Sequence, residues 1–124
     1  MPATNLWLFL PIGYAVTVLI ETPVLLIGLS ARHSWRRRLF AGLWLTACTY
    51  PVVVLVLPVL LAGASRATYL AIAETFAPVA ECLLFWLAFG DAQGQTRVWL
   101  WRDFLAITLA NLASFILGEI LFAA

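Results

Sequence analysis

Apolar residues dominate the chain in four long runs that are separated by short polar connections. The runs cover about residues 6–29, 39–63, 69–90 and 98–122. A helix rises about 1.5 Å per residue and needs about 20 residues to cross a hydrocarbon core, so each run is long enough to span a bilayer. The pattern predicts an all-α fold: an integral membrane bundle of four transmembrane helices that forms one domain over residues 1–124.

The composition excludes an ordinary soluble domain. Hydrophobic residues make up 65% of the chain and charged residues 10%, whereas soluble domains have roughly 45–50% and about 25%. The net charge is +1 and no basic stretch is interleaved with aromatic residues, so nucleic acid is not an expected partner. The first run has no cationic segment before it, is long, and contains Glu21, which is atypical of a cleavable signal peptide.

The arginines predict the orientation, since the chain has no lysine. Six of its seven arginines flank the first and third connections, and the second connection holds only Arg66. Because arginine-rich connections stay in the cytoplasm, we expect a multi-pass protein of a bacterial inner membrane with both termini outside. Tryptophans then mark the two membrane surfaces: Trp35, Trp99 and Trp101 inside and Trp7 outside.

All four glutamates lie inside apolar runs and none lies in a connection. They are Glu21, Glu74, Glu81 and Glu119. An ionised carboxylate at the bilayer centre costs about 2.5–3.5 kcal/mol on insertion scales, so intramembrane acids usually face a partner or a watery cavity and mark a functional site. Otherwise they are protonated.

Two of these acids, Glu74 and Glu81, are seven residues apart with Pro78 between them. Seven residues are about two helical turns, so both side chains project from one face. Pro78 has no N–H, which leaves the carbonyl of Glu74 without its helical donor. We expect these two acids and Glu21 to face the bundle interior, with at least one protonated at neutral pH when no cation is bound.

Other polar residues extend the candidate site. Thr17 and Tyr14 lie one and two turns before Glu21 on the same predicted face, and the fourth run carries Asn111. Arg66 is the one cation near the outer end, where it would reach Glu119. The predicted ion- or proton-binding residues are therefore Tyr14, Thr17, Glu21, Glu74, Glu81, Asn111 and Glu119, with no metal or cofactor assigned.

Small residues recur every fourth position in the last run, at Ala106, Ala110, Ser114 and Gly118. Such a stripe allows two helix backbones to approach closely, so it predicts tight helix packing within the chain, against a second copy or against another protein. The segments Tyr14–Pro23 and Tyr69–Pro78 each contain Tyr, Glu-Thr and Pro in that order, which suggests a weak tandem two-helix repeat.

Enzyme chemistry has no support in the sequence, which lacks HExxH, GxSxG and clustered His/Cys motifs. We expect His33 to lie at the surface near the headgroups, Asp103 to be a solvated interfacial charge, and Cys48 and Cys82 to be small buried thiols.

Two functions therefore stay open. The favoured one is a cation- or proton-coupled transporter or channel that works as a homo-oligomer. The alternative is a non-catalytic subunit or assembly factor of a larger membrane complex. Membrane lipid is a partner in both.

Overall fold

The computed structural model describes the backbone of residues 3–31, 33–89 and 97–122, and the side chains of residues 10–31, 33–89 and 100–121. It contains five α-helices: α1 Ala3–Gly28, α2 Trp35–Pro51, α3 Leu57–Leu60, α4 Arg66–Phe89 and α5 Arg97–Phe122. A π-helical turn, Val52–Val56, joins α2 to α3. These elements form four helical spans long and apolar enough to cross a membrane. The predicted four-helix membrane bundle is confirmed.

Serine caps start two of the spans earlier than the apolar pattern indicates. The second span begins at Trp35 rather than at residue 39, and the Ser34 hydroxyl accepts a hydrogen bond from the Arg37 N–H at 3.2 Å. The third begins at Arg66 rather than at residue 69, and the Ser65 hydroxyl accepts from the Thr68 N–H at 3.1 Å. Capping recruits polar residues into the first turn, which hydropathy alone cannot detect.

The second span is interrupted by the π-helical turn between Pro51 and Pro58. The Leu57 N–H bonds to the carbonyl of Val52, five residues back, and Pro58 has no N–H to donate. The Val53 carbonyl is thereby released from the helical pattern, and the Tyr69 hydroxyl of α4 donates to it at 2.6 Å. This bond fixes the interrupted span to α4.

A packed apolar core fills the half of the bundle that lies towards the first connection. Leu25, Leu45, Phe85 and Ile107, from four different helices, are each at most 1% exposed. Towards the second connection the helices instead surround a cavity. The two halves therefore differ in polarity and in packing.

The helix backbones approach closely at two glycines. Gly42 lies in the contact between α1 and α2, and Gly28 lies in the contact between α1 and α5. A Cβ placed on Gly42 would lie 3.0 Å from the Cβ of Thr22, and one placed on Gly28 would lie 3.0 Å from the Cβ of Ala106. Ala106 and Ala110 are buried in the core, so the first half of the predicted stripe packs inside the bundle.

The second half of the stripe does not pack in this way. Ser114 and Gly118 line the cavity, and a Cβ added to Gly118 would meet no atom within 4 Å. The close approach predicted at Gly118 is therefore not made within the described part of the chain, because the helices diverge around the cavity at this level.

Equivalent residues of the two segments of the proposed repeat lie in different environments. Glu21 and Thr22 are both buried, whereas Glu74 is half-buried and Thr75 is exposed.

Cys48 and Cys82 are free and partly buried. Trp35 and Trp101 are largely exposed, as a surface belt requires, while the side chains of Trp7 and Trp99 lie outside the described residues.

Candidate functional site

A cavity of about 390 Å³ lies between α1, α2, the π-helical turn, α4 and α5. All four glutamates of the chain line it: Glu21, Glu74, Glu81 and Glu119. They occupy two levels. Glu21 and Glu81, which we call the deep pair, are each 2% exposed, whereas Glu119 is partly exposed at the end of the bundle where α4 begins. The cavity thus leads from the surface at Arg66 and Glu119 to two buried carboxyls.

Glu81 is held by groups from the two neighbouring helices. The Thr49 hydroxyl of α2 lies 2.7 Å from one carboxyl oxygen, and the Asn111 amide nitrogen of α5 donates to the other at 3.1 Å. The same amide nitrogen donates its second proton to the Ile107 carbonyl at 2.9 Å. Asn111 is therefore fixed in place and presents one N–H to the carboxyl.

Glu21 is held by the same two helices, one turn away on each. The Ser114 hydroxyl of α5 donates to one carboxyl oxygen, and the Thr46 hydroxyl of α2 lies 3.5 Å from the other. Thr46 precedes Thr49 by three residues, and Asn111 precedes Ser114 by three, so each pair of neighbours lies on one helix face. Glu21 thus contacts the earlier residue on α2 and the later one on α5, and Glu81 does the reverse. Because α2 and α5 run in the same direction, these crossed contacts place the two carboxyls at a similar depth.

Two of these hydroxyls have a choice of acceptor. The Thr49 hydroxyl also lies 3.1 Å from the Leu45 carbonyl, and the Ser114 hydroxyl lies 3.0 Å from the Asn111 carbonyl. A hydroxyl has one proton and can also accept. It can donate a hydrogen bond to an ionised carboxylate, or turn its proton to the backbone carbonyl and accept a hydrogen bond from a neutral carboxyl. The site therefore accommodates both protonation states without moving heavy atoms.

The upper level of the cavity contains Arg66, Glu74 and Glu119, which we call the mouth. Glu74 lies seven residues from Glu81 along α4, about 10 Å, and Glu119 lies eight residues from Asn111 along α5, about 12 Å. Arg66 donates to both carboxyl oxygens of Glu119, at 2.9 and 2.8 Å. This contact confirms the predicted reach of Arg66.

The structure brings six of the seven predicted site residues to this cavity. Thr17 and Asn111 line it together with the four glutamates. Tyr14 does not join them: its hydroxyl donates to the Leu43 carbonyl at 2.7 Å, and its ring packs edge-on against Tyr50. Tyr14 shares a helical face with Glu21 but lies two turns away, where α1 contacts α2.

Sequence reasoning missed a second polar cluster, at the opposite end of the bundle. The Asp103 carboxylate accepts from the Ser30 N–H at 2.7 Å and contacts the His33 Nε2 at 2.9 Å. Arg37 reaches the His33 Nδ1 at 3.3 Å. Since a guanidinium only donates, Nδ1 accepts and Nε2 carries the proton towards Asp103. Arg38 donates to the carbonyls of Leu26, Ser30 and His33.

The predictions for His33 and Asp103 were wrong. His33 is 2% exposed and Asp103 0% exposed, so neither lies at the surface. Phe85 packs edge-on against the imidazole at 5.0 Å. Among the described residues, the cluster ties the first connection to α5 and fills this end of the bundle, which we call the sealed end. The order of the spans could have predicted this cluster, because the first connection and the start of α5 must lie at the same end of a four-helix bundle.

No group of three or more His, Cys, Asp or Glu side chains that could hold a metal ion occurs among the described residues. The deep pair is instead surrounded by hydrogen-bond donors from Thr46, Thr49, Asn111 and Ser114. This arrangement suits a proton better than a metal ion, because hydrogen-bond donors already contact the carboxyl oxygens that would have to coordinate the metal.

No protein-family model, curated protein or solved structure matches the chain. Any functional conclusion therefore rests on the geometry of the cavity and on its chemistry.

Proposed function

We propose that the chain is a small membrane transporter that carries protons, with Glu21 and Glu81 as the proton-binding groups. The observation that carries the proposal is the deep pair itself: two buried carboxyls at the closed end of a cavity that all four glutamates line. Buried intramembrane acids that face a cavity are typical of proton and ion pathways.

The hydroxyls of Thr49 and Ser114 support the proton as the bound ion. Each has a backbone carbonyl and a carboxyl oxygen within hydrogen-bond distance. A proton can therefore arrive or leave while these hydroxyls and the carboxyl oxygens beside them keep a partner, which avoids the free-energy cost of an unpaired buried group.

The apolar core beyond the deep pair favours a transporter over an open channel. Within one helical turn of Glu21, Glu81 and Asn111, the bundle is filled by Leu25, Phe85 and Ile107, each at most 1% exposed. About 12 Å separates Asn111 from Asp103 at the sealed end. A proton that crosses the membrane requires this layer to open, which is the behaviour of a carrier that alternates between two states.

Proton flux in reconstituted liposomes tests the proposal. A potassium diffusion potential would drive protons inwards, and a trapped pH-sensitive dye would report them. We expect flux above that of protein-free liposomes, and at least a tenfold loss in Glu21→Gln and in Glu81→Gln, since glutamine keeps the shape but cannot titrate.

Two controls make the result specific. Thr75→Val removes an exposed hydroxyl that bonds only to its own helix, at the Ala71 carbonyl, and should keep full flux. Size-exclusion profiles of the glutamine variants should match that of the unmodified chain. Full flux in both glutamine variants would contradict the proposal, as would flux no greater than that of empty liposomes. In the latter case, changed co-purification of other chains in these variants would favour the subunit function.

A further inference from the structure

The mouth of the cavity is crossed by an ion pair that joins two helices. Arg66 at the start of α4 contacts both carboxyl oxygens of Glu119 near the end of α5. Both side chains also line the cavity. The pair therefore lies on the route from the surface to the deep pair.

Arg66 is the one positively charged side chain among the described residues that line the cavity. Its guanidinium neutralises Glu119, and its charge opposes the entry of another cation. Without Arg66, the mouth would contain two uncompensated carboxylates, Glu74 and Glu119, and would attract cations more strongly. The ion pair thus reduces the negative charge that a cation meets first.

The pair is also easy to break. The Arg66 and Glu119 side chains are 71% and 42% exposed, and an exposed pair contributes little to stability. The connection before Arg66 contains Gly63, whose φ of +136° lies in the region that favours glycine. Nothing in the packed core has to move when Arg66 leaves Glu119.

We propose that Arg66 and Glu119 form the gate of the cavity. Paired, they keep cations out; the gate opens when an arriving cation or proton replaces Arg66 at Glu119 and the guanidinium turns to solvent. The proposal deepens the transport function, on which it rests, by naming the residues that control entry.

The gate can be tested by the reactivity of a thiol inside the cavity. Ala77 lines the cavity between Glu74 and Glu81, so Ala77→Cys, in a chain whose Cys48 and Cys82 are replaced by alanine, places one reporter thiol there. Its modification rate would be measured with two methanethiosulfonate reagents, one carrying an ethylammonium group and one a neutral hydroxyethyl group.

We expect Arg66→Gln to raise the rate with the cationic reagent at least tenfold and the rate with the neutral reagent less than threefold. The charge-reversed pair, Arg66→Glu with Glu119→Arg, should return the cationic rate to within threefold of the starting protein. Arg36→Gln is the matched control: Arg36 is exposed, lies over the Trp35 ring at 5.7 Å, and is at the opposite end, so its loss should leave both rates unchanged.

An unchanged cationic rate in Arg66→Gln would overturn the gate, as would an equal rise for both reagents, which would indicate general loosening. These outcomes are separate from a failure of the transport proposal. If the gate fails alone, Glu81→Gln still lowers proton flux at least tenfold. If transport fails alone, the thiol rates still respond to Arg66→Gln.

Discussion

At the scale of single residues, Thr49 has the most informative position in the site. Its hydroxyl lies between the Leu45 carbonyl of its own helix and the Glu81 carboxyl of α4. Threonine hydroxyls in membrane helices commonly bond to the carbonyl four residues back, but here the second acceptor is a buried acid. Thr49 can therefore donate to the carboxylate or accept from the neutral acid.

We predict that Thr49→Val removes one hydrogen bond from Glu81 while it leaves the fold intact. Valine has nearly the same shape, and hydrogen bonds between membrane helices average about 0.6 kcal/mol with a maximum near 1.7, so stability should fall by about that amount. The carboxylic C=O band of protonated Glu81, identified in infrared difference spectra by its absence in Glu81→Gln, should move to higher frequency.

Thr75→Val again provides the control, because Thr75 makes the same bond to its own helix but is exposed. It should leave the band in place. A band that does not move in Thr49→Val would mean that this hydroxyl is not a partner of the neutral acid, and the two-acceptor arrangement would then have no role in proton binding.

Sequence alone predicted the acids of the site and one of their partners, Asn111, but did not assign particular hydroxyls to particular acids. The glutamates and Asn111 stand out because such groups are costly in hydrocarbon. Thr46, Thr49 and Ser114 do not, since hydroxyls are common in membrane helices and satisfy themselves locally. Ser114 was predicted for packing because its neighbours Ala106 and Ala110 are small. Which hydroxyls meet which acids depends on helix rotation, which no local pattern specifies.

At the scale of elements, the number and order of the spans follow from hydropathy, whereas their ends and interruptions do not. Ser34 and Ser65 extend two helices into polar sequence, and the π-helical turn Val52–Val56 depends on two prolines acting together with Tyr69. The predicted small-residue stripe of α5 has two different environments. Its first half packs where α1 and α5 converge, and its second half lines the cavity where they diverge.

We predict opposite outcomes for alanine at two glycines. Gly42→Ala should destabilise the protein by about 1–3 kcal/mol, the usual range for overpacking, because the new Cβ would be forced against the stiff, β-branched Thr22. Gly118→Ala should be neutral or stabilising by up to about 1 kcal/mol, since nothing lies within 4 Å and alanine is the better helix former.

Thermal unfolding in a mild detergent would measure both variants, with each serving as the control of the other. A loss of stability in Gly118→Ala would restore the sequence-based expectation of close packing at that position, against a second copy of the chain. An unchanged Gly42→Ala would mean that α1 and α2 do not approach as closely as the structure has them.

At the scale of the whole molecule, the bundle is polar and open at one end and sealed at the other. The mouth lies beside the second connection, while the cluster of His33 and Asp103 closes the end that carries the first connection. Six of the seven arginines lie in or next to the first and third connections of the sequence, which are at the same end of the bundle as this cluster. If these arginines mark the cytoplasmic side, the cavity opens to the outside.

Labelling with a membrane-impermeant maleimide tests both statements at once. In a chain whose Cys48 and Cys82 are replaced by alanine, Ser65→Cys and Ser34→Cys report the two ends, and both serines are exposed. Ala77→Cys reports the cavity. In intact cells we expect label at position 65 and slower label at position 77, with position 34 labelled only after the membrane is permeabilised. The slower rate at position 77 follows from the narrow mouth.

Each alternative pattern has a distinct physical meaning. Label at position 34 but not at 65 would reverse the orientation, and the arginine argument would be wrong while the fold stands. Label at 65 with none at 77, even for the gate variant Arg66→Gln, would mean that the cavity is closed at both ends in the membrane. Label at position 77 from the same side as position 34 would require the core of Leu25, Phe85 and Ile107 to be open. The resting state of the carrier in the membrane would then be the one whose cavity faces the other side.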